Sequence, residues 1–380
     1  MRSAIRSVDV FPAKLHLKEP FRVAYEVEED AWNILVRVTT ADGEVGWGNS
    51  CPDPEVTGET PQSVLKTLRK LIPRIDGEDS HRVNRVNYIM EEVVGGNLTA
   101  KAAVNLALYD ILGKAAGLPV TKLLGGFKDR IQTSISIGIL PLEETVAKSK
   151  AFVEQGFKVL KLKCGLDPED DVRRAIAVRE AVGRDILLRL DANQGYDVAT
   201  TLRVVDALEN IHGVDIELVE QPTPAGELAQ LKEVTGASSV PIMADESVQS
   251  IMDTFVVTAG QMADLINIKL MKTGGITGAL RVNAVAQAGG IPVMVGCMSE
   301  SVVSVAAGLH FACSQRNIQY ADLDSHFDFA RDLARGGASF EDGYLYPLDR
   351  PGYGLEADEP YIEELARAGR KELGLPVKSP

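Results

Sequence analysis

The strongest constraint on the fold is a regular alternation of short apolar runs and helical patterns that starts at Thr133. Eight runs have the length and composition of buried strands, and a helical pattern follows each, although the last is short. The runs read SISIGI, VLKLKCG, ILLRLDAN, IELVEQP, PIMADES, LINIKL, IPVMVGC and IQYADLD. Strand–helix alternation implies parallel strands, and eight such units fit a closed barrel. We therefore predict an α/β fold with a (β/α)8-type, TIM-like barrel at residues 129–340.

The chain before this alternation mixes both kinds of pattern. SVDVFPAKLHL alternates like a strand, and ADG between two apolar runs is a hairpin signal. Helical patterns follow, and the last of them stops at Gly117, with Pro119 two positions later, which is typical of a helix end. Residues 1–128 are therefore predicted to form a separate α+β domain.

Composition and charge exclude several classes of protein. Of the 380 residues, 45% are hydrophobic and 25% are charged, which is ordinary for a soluble globular protein. No run of about 18 apolar residues occurs, so we expect no membrane span or membrane partner, and the N-terminus lacks the pattern of a signal peptide. The net charge is −14 and no basic patch stands out, which argues against nucleic acid as a partner.

The cysteines indicate the compartment. The sequence has four of them, and they form no CxxC pair and no dense framework: Cys51, Cys164, Cys297 and Cys313. Free thiols in a reducing compartment are the simplest interpretation, so we expect a cytoplasmic protein.

Polar residues end most of the predicted strands. In a parallel barrel the C-terminal strand ends face the active site. From Lys163 to Lys269 the strand-end residues recur every 24–29 positions, as a barrel of eight similar units requires. The full set is Lys161, Lys163, Asp191, Glu220, Asp245, Lys269, Asp322 and Asp324. Any single one is more simply a helix cap or the partner of a surface charge, but a whole rim of them predicts an active site.

Three successive strands end in the carboxylates Asp191, Glu220 and Asp245. Carboxylates that converge in this way repel each other strongly unless a cation neutralises them. Oxygen ligands without a neighbouring Cys or His ligand suit Mg²⁺, with Mn²⁺ as the alternative. We predict a metal site at these three positions.

The lysines suggest proton transfer. Strand alternation puts Lys161 and Lys163 on one side of their strand, and Lys269 ends a strand four places further round, on the opposite wall. Near a cation and near each other, these lysines should have lowered pKa values, which suits a general base. With a base on each face of a carbon next to a carboxylate, one lysine removes the proton and the other returns it. Mg²⁺ and Lys161 would stabilise the enediolate formed between the two steps.

These motifs resemble those of the enolase superfamily, and within it the muconate-lactonizing-enzyme subgroup. The matching segments are KLKCG, RLDAN, VEQP, MADES and NIKLMKTGGI, and the likeness runs over nearly the whole chain. The resemblance implies that the acids Asp191, Glu220 and Asp245 bind the metal and that Lys163 and Lys269 are the acid/base pair. It also implies a homo-oligomer, and an N-terminal capping domain with specificity loops that residues 341–380 complete. The mandelate-racemase branch, with a histidine on strand seven, is excluded because that strand ends in GCMSES.

The last strand narrows the resemblance. YADLD places Asp322 and Asp324 two positions apart, so both should point inward. A DxD pair here is similar to that of the dipeptide epimerases, where it binds the α-ammonium of the N-terminal residue, and two carboxylates suit an ammonium with three donors. The alternative activities in this subgroup are N-acylamino-acid racemase and o-succinylbenzoate synthase. By resemblance they use the same lysines and metal, but their substrates carry no ammonium.

The dipeptide side chains are harder to predict. By resemblance, specificity lies in the loop KEPFRVAYEVEED, where an arginine for a glutamate side chain would stand near Tyr25. Arg22 is close to this place but not at it. The loop acids could favour a cationic side chain, whereas Phe21, Tyr25 and Trp32 suit an apolar one. We expect an apolar or broad preference.

Four further residues are candidate contacts to the substrate. Ser134 and Ser136 share one side of the first barrel strand, and Cys297 and Met298 would contact the substrate through the backbone. Cys297 is not expected to act as a nucleophile, because no histidine partner is evident.

Two other classes of function compete with this hypothesis. A Schiff-base aldolase also places a lysine on a barrel strand, but it needs no metal and leaves the three carboxylates unexplained. A non-catalytic carbohydrate- or peptide-binding relative does not explain why two opposed lysines are present. Neither accounts for the whole set of strand-end residues.

Overall fold

A computed structural model describes residues 2–376. The first part of the fold is an antiparallel sheet of three strands. The strands are β1 (Ile5–Arg22), β2 (Val27–Thr40) and β3 (Val45–Ser50). Four helices follow, which are α1 (Pro61–Ile75), α2 (Val83–Val93), α3 (Leu98–Ala116) and α4 (Val120–Leu123). The helix α3 ends at Gly117, whose φ of 67° is the left-handed conformation that closes many helices, so the predicted stop is confirmed.

Glycines in β3 bring the strand backbone directly onto α3. A Cβ atom added at Gly48 would lie 1.9 Å from the carbonyl oxygen of Ala103 and 2.8 Å from the backbone nitrogen of Ala107. Backbone atoms cannot move aside as a flexible side chain can. The contact between sheet and helix therefore requires a residue without a side chain at this position.

The second part of the fold is an eight-stranded parallel barrel, preceded by the short strand β4 (Ile131–Gln132). The strands lie side by side in chain order. They are β5 (Ile135–Ile137), β6 (Val159–Lys163), β7 (Leu187–Asp191), β8 (Ile216–Glu220), β9 (Ile242–Ala244), β10 (Leu265–Lys269), β11 (Val293–Gly296) and β12 (Ile318–Asp322). At the seam, an isolated parallel bridge between Thr133 and Ala321 joins the first strand to the last. The predicted barrel is confirmed, and it is nearly closed.

Helices connect the barrel strands. They are α5 (Leu142–Glu154), α6 (Pro168–Val182), α7 (Val198–Asp206), α8 (Leu228–Ala237), α9 (Ile251–Ala259), α10 (Leu270–Thr273), α11 (Ile276–Ala288) and α12 (Val302–Ser314). A π-helical turn at Ala207–Ile211 extends α7, and β12 is followed by only a 3-10 turn at Ser325–Phe327. The eighth helical segment is thus short, as the sequence indicates.

The C-terminal segment returns to the first sheet. It contains β13 (Ala334–Gly336), β14 (Ala338–Glu341), β15 (Tyr344–Pro347), β16 (Leu355–Ala357) and α13 (Glu359–Glu372). The strands β14 and β15 form a small sheet with β4, and β13 pairs with β16. Asp110 of α3 accepts a 3.1 Å hydrogen bond from the backbone N–H of Tyr353, and α13 packs on β1.

Most of the interior is apolar. One large cluster of buried apolar side chains includes residues of α3 and of the barrel strands, and a smaller cluster lies between the first sheet, α12 and α13. All four cysteines are free thiols, as expected. In the described part of the chain, no helix has the length and apolarity that crossing a membrane requires.

The glycine contact between β3 and α3 can be tested by adding one methyl group. We expect Gly48→Ala to lower the free energy of unfolding by about 1–3 kcal/mol, because its Cβ would overlap the backbone of α3. Gly95→Ala is the matched control, since nothing lies within 4 Å of a Cβ added there. It should stay within about 0.5 kcal/mol of the parent protein in chemical denaturation. Equal effects of the two substitutions would contradict the proposed close contact.

Candidate active site

The barrel strands end at a cavity of about 480 Å³, called the main cavity below. Its floor consists of side chains from the strand ends, including Lys161, Lys163 and Lys269. Its wall is built by the turn between β1 and β2 together with residues 51–56 of the N-terminal domain. Polar groups of the barrel and loop residues of the other domain therefore face one space that is large enough for a small molecule.

The three lysines reach this cavity from two sides. Lys161 and Lys163 both point inward from β6, while Leu162 between them is buried on the other face. Lys163 Nζ donates to Asp191 Oδ2 at 2.6 Å and to Asn193 Oδ1 at 3.0 Å. Lys269 ends β10, four strands away in the barrel order, so it approaches from the opposite side, as the sequence predicts.

The three predicted metal ligands lie side by side and are fully buried. Asp191 and Glu220 are paired directly in the register of β7 and β8, and Asp245 follows the end of β9. Lys269 Nζ lies 2.8 Å from Asp245 Oδ2, and Lys272 bonds to the other oxygen of the same carboxylate. Glu220 Oε1 accepts a 2.7 Å hydrogen bond from Asn267.

These acids fit a hard cation in chemistry, but lysines occupy their oxygens in this structure. No group of three His, Cys, Asp or Glu side chains within residues 2–376 is already gathered around a common point for a metal ion. The donor set nevertheless consists of oxygens alone, and two buried oxygens close to it, Glu246 Oε2 and Asn267 Oδ1, accept no hydrogen bond. Carboxylate oxygens with unsatisfied neighbours suit Mg²⁺ better than a soft metal.

The charges of the site shift its pKa values. Burial raises the pKa of Glu220 to about 8, and the neighbouring charge of Asp191 adds to the effect. Burial alone would lower the pKa of Lys161, but Asp322, Glu220 and Asp191 outweigh it and raise the value well above normal. In the same way Asp245 and its neighbours overcome the burial of Lys269. Protein charges alone thus raise the pKa of Lys161 and Lys269, whereas the lowered values expected from the sequence assume a bound cation.

The DxD pair lies at the seam of the barrel, where residues of the first strand hold it. Ser134 donates from its hydroxyl to Asp322 Oδ1 at 2.6 Å, and the other oxygen of Asp322 is ion-paired with Lys161. The backbone N–H of Ser136 donates to Asp324 Oδ2 at 2.6 Å. Asp324 makes no ion pair with any residue between 2 and 376, and burial together with Asp322 raises its pKa to about 6.

Two expected substrate contacts lie elsewhere. Ser134 is buried below the main cavity, where it accepts a 3.1 Å hydrogen bond from Arg189 and holds Asp322, while Ser136 lines the cavity. Arg22 is exposed at the end of β1 and does not line the cavity, because its backbone rather than its side chain faces the barrel. Its carbonyl accepts from the backbone N–H of Ile139 at 2.8 Å. Cys297, Met298 and Tyr25 do line the cavity.

The wall of the main cavity is acidic as well as aromatic. Glu26, Glu28 and Asp53 line it and make no ion pair within the described chain. Burial raises the pKa of Glu26 to about 7, with a further contribution from Glu28, and burial also raises the pKa of Glu28. Tyr25 stands among them with 36% of its surface exposed.

Sequence reasoning missed several polar residues that support the site. Asn193 bonds Lys163 and donates to Glu246 at 3.1 Å, and Lys272 bonds Asp245. Gln221 accepts hydrogen bonds from the backbone N–H groups of Asp245, at 2.9 Å, and of Ser247. Their positions in the sequence could have identified them, because all of these residues lie inside the segments RLDAN, VEQP, MADES and NIKLMKTGGI.

Comparisons with known proteins agree with this geometry. Residues 5–125 match the mandelate racemase / muconate lactonizing enzyme N-terminal domain, and residues 144–361 match the enolase C-terminal domain-like family. The chain is 39% identical to the L-Ala-D/L-Glu epimerase of Clostridium acetobutylicum, over 93% of this chain and 98% of that protein. It is 38% identical to the L-Lys-D/L-Arg epimerase of Methylococcus capsulatus, over 92% of this chain and 98% of that protein.

A solved structure gives the same result. The dipeptide epimerase from Enterococcus faecalis, complexed with Mg and the dipeptide L-Leu-L-Tyr, superimposes with a TM-score of 0.90 at 37% identity. The match covers 93% of this chain and 99% of that one. With both domains matched and whole-length relatives above 30% identity, the chain belongs to the mandelate racemase / muconate lactonizing enzyme family of the enolase superfamily.

Proposed function

We propose that this protein is a magnesium-dependent dipeptide epimerase, an isomerase that inverts the α-carbon of the C-terminal residue through an enediolate. The observation that carries the proposal is one cavity that holds Lys163, Lys269 and Asp324, with the lysines on strands four apart. The relatives support it, because the two curated proteins described above are epimerases whose names specify dipeptides.

The two lysines divide the proton transfer between two faces of the substrate. Removing a proton next to a carboxylate needs a neutral amine on one face, and returning it on the other face needs an ammonium. Each nitrogen has its own carboxylate to orient it, which is Asp191 for Lys163 at 2.6 Å and Asp245 for Lys269 at 2.8 Å. Because either lysine can start, the reaction runs in both directions.

The carboxylates Asp191, Glu220 and Asp245 would hold the Mg²⁺. When bound, the ion would supply positive charge that stabilises the enediolate and offsets the acids that raise the pKa of Lys161 and Lys269. Lys161 lies beside them, with Nζ 3.4 Å from Glu220 and 3.4 Å from Asp191, and brings a further positive charge to the substrate carboxylate.

Asp324 is the member of the DxD pair that would bind the α-ammonium. Both oxygens of Asp322 already have partners in Lys161 and Ser134, so Asp322 acts mainly to position Lys161. The Oδ1 atom of Asp324, by contrast, accepts only a weak hydrogen bond from the Cys297 thiol at 3.7 Å within the described residues. A buried carboxylate without a cation is costly, and the ammonium of a dipeptide would offset that cost.

The alternative activities fit these contacts less well. A substrate of N-acylamino-acid racemase or o-succinylbenzoate synthase offers no positive charge to Asp324. A Schiff-base lysine needs surroundings that lower its pKa, whereas carboxylates surround Lys161 and Lys269.

The cavity wall favours a cationic side chain on the residue that is epimerised. Family membership does not determine this side-chain preference. Relatives named for Glu and for Arg side chains are 39% and 38% identical to this chain, respectively. Glu26, Glu28 and Asp53 line the wall above the lysines without ion pairs of their own. Tyr25 offers an aromatic face on which the aliphatic stem and charged head of Lys or Arg can lie. We therefore propose a cationic side chain in place of the apolar or broad preference expected from the sequence.

Three wider expectations are kept as proposals. The division into residues 1–128 and 129–340, with 341–380 completing the first domain, agrees with the separate family matches. The free thiols support a cytoplasmic location. A homo-oligomer is proposed from the family resemblance alone.

The proton-transfer proposal is tested with single lysine variants and dipeptides in D₂O. We expect the parent protein with Mg²⁺ to place deuterium at the α-carbon of both epimers, and a chelator to abolish this exchange. Lys163→Ala and Lys269→Ala should each slow epimerisation by about 10²–10⁴-fold. Each should still exchange the proton of one epimer, and the two variants should prefer opposite epimers. The control is Lys232→Ala, at an exposed lysine of α8. Full epimerisation by Lys269→Ala would contradict the two-base reaction.

The role of Asp324 predicts a dependence on pH. The pKa of its carboxyl is about 6, so below that pH the group becomes neutral and loses its attraction for an ammonium. We expect kcat/KM for free dipeptides to fall as pH decreases through about 6. Asp324→Asn should remove this fall and lower kcat/KM at pH 8 by about 10–100-fold, because a charge-assisted bond is lost.

Matched substrates separate this effect from general damage. With N-acetylated dipeptides, which carry no ammonium, Asp324→Asn should cost nothing in kcat/KM. An equal loss on free and acetylated substrates would show that Asp324 does not recognise the amine.

The side-chain preference is tested with L-Ala-L-Lys and L-Ala-L-norleucine, whose stems are alike and whose charges differ. We expect the lysine dipeptide to have the higher kcat/KM, and Glu26→Gln to reduce the ratio at least about 10-fold, which is the worth of one charge-assisted hydrogen bond. Glu233→Gln, at an exposed acid of α8, should leave the ratio unchanged. A parent protein that prefers norleucine would refute the cationic wall.

A further inference from the structure

A second, smaller cavity lies away from the proposed active site, where the helices of the N-terminal domain meet the outside of the barrel. Its volume is about 160 Å³, and it is called the side cavity below. Its walls come from α2, α3, the start of α9 and the segment from α10 to α11. None of the residues assigned to proton transfer, metal or dipeptide lines it.

The side cavity contains a largely buried lysine that makes no ion pair within the described residues. Lys101 of α3 lines it with only 6% of its surface exposed. Among residues 2–376 it makes no hydrogen bond and no ion pair, and burial lowers its pKa. A largely buried lysine side chain without an ion pair favours a negative charge nearby, so this position suits an anionic ligand.

The carboxylates nearest to Lys101 are committed to other groups. Glu59 accepts from the backbone N–H of Thr99 at 2.9 Å and from its hydroxyl at 2.7 Å. Glu91 lies 3.5 Å from Arg281, a second cation on the wall of the same cavity. The wall of this space thus carries two cations and one acid, and Glu59 lies outside the wall.

The remaining wall adds weak positive potential and no acid. Thr277, at the second position of α11, lines the cavity, and no side chain caps the start of this 13-residue helix. Unpaired N–H groups at a helix start favour an anion nearby. Ser250, on the opposite wall, already caps α9 and leaves no charge of its own.

We propose that the side cavity is a binding site for a small oxyanion, held between Lys101 and Arg281. Its volume equals that of about five water molecules, which admits a tetrahedral oxyanion or a short carboxylate but not a nucleotide. The occupant would join α3 of one domain to the end of α10 at Thr273 and Gly274, just after β10 and Lys269. Binding there should stabilise the junction of the two domains.

The test measures thermal unfolding of the Mg²⁺-loaded protein during titration with sulfate, with acetate, or with chloride at equal ionic strength. Sulfate stands for tetrahedral oxyanions and acetate for carboxylates, so the two arms distinguish the sources. We expect Tm to rise with one of them well beyond the chloride control, since a ligand that binds the folded state stabilises it. Lys101→Met should abolish this specific rise and, without a buried charge to compensate, should be at least as stable as the parent protein in chloride.

Lys232→Met provides the matched control, because sulfate also stabilises proteins non-specifically and that part should be equal in both variants. If Lys101→Met does not fold, Arg281→Gln is used, and it should weaken the rise at least several-fold. An equal response of parent, Lys101→Met and Lys232→Met would overturn the proposal, as would the absence of any rise above chloride in the parent protein.

Discussion

The buried charges at the mouth of the barrel are the constraint on which the rest of the structure depends. Asp191, Glu220 and Asp245 are fully buried within reach of lysines, and a buried carboxylate is tolerated only when opposite charge is fixed close to it. Parallel strands provide that rigidity, because register places Lys163 beside Asp191 and Asp191 beside Glu220. A loop could not hold so many charges at such fixed separations.

The seam of the barrel explains how the last strand takes part. Ser134 and Ser136 come from the first strand, and they fix the carboxylates of Asp322 and Asp324 on the last one through bonds of 2.6 Å. Closing the barrel therefore also orients the DxD pair and, through Asp322, the ammonium of Lys161. Closure and substrate recognition depend on the same few hydrogen bonds.

This seam also marks the limit of prediction from sequence. Strand periodicity and the spacing of strand-end residues were sufficient to predict the barrel and to bring Lys163 and Lys269 to one cavity, since both are consequences of local pattern. Ser134 bonds to Asp322, which lies 188 residues further along the chain. The sequence does not show this pairing, so it does not distinguish a hydroxyl that supports Asp322 from one that contacts the substrate. The expected substrate contact of Arg22 is absent for a related reason, because the position of a residue at a strand end does not give the direction of its long side chain.

The lysine pKa values show a different limit, which concerns charge rather than position. Proximity of two amines and a cation predicts lowered pKa values, whereas the surrounding acids alone, without a cation, raise the pKa of Lys269. The net effect depends on how many carboxylates remain uncompensated, and a bound divalent ion would oppose it because the ion would neutralise two negative charges. The same reasoning links the two cavities. Glu26 and Asp324 in the main cavity, and Lys101 in the side cavity, make no ion pair within residues 2–376. Each of these charges therefore predicts the opposite charge in what binds there.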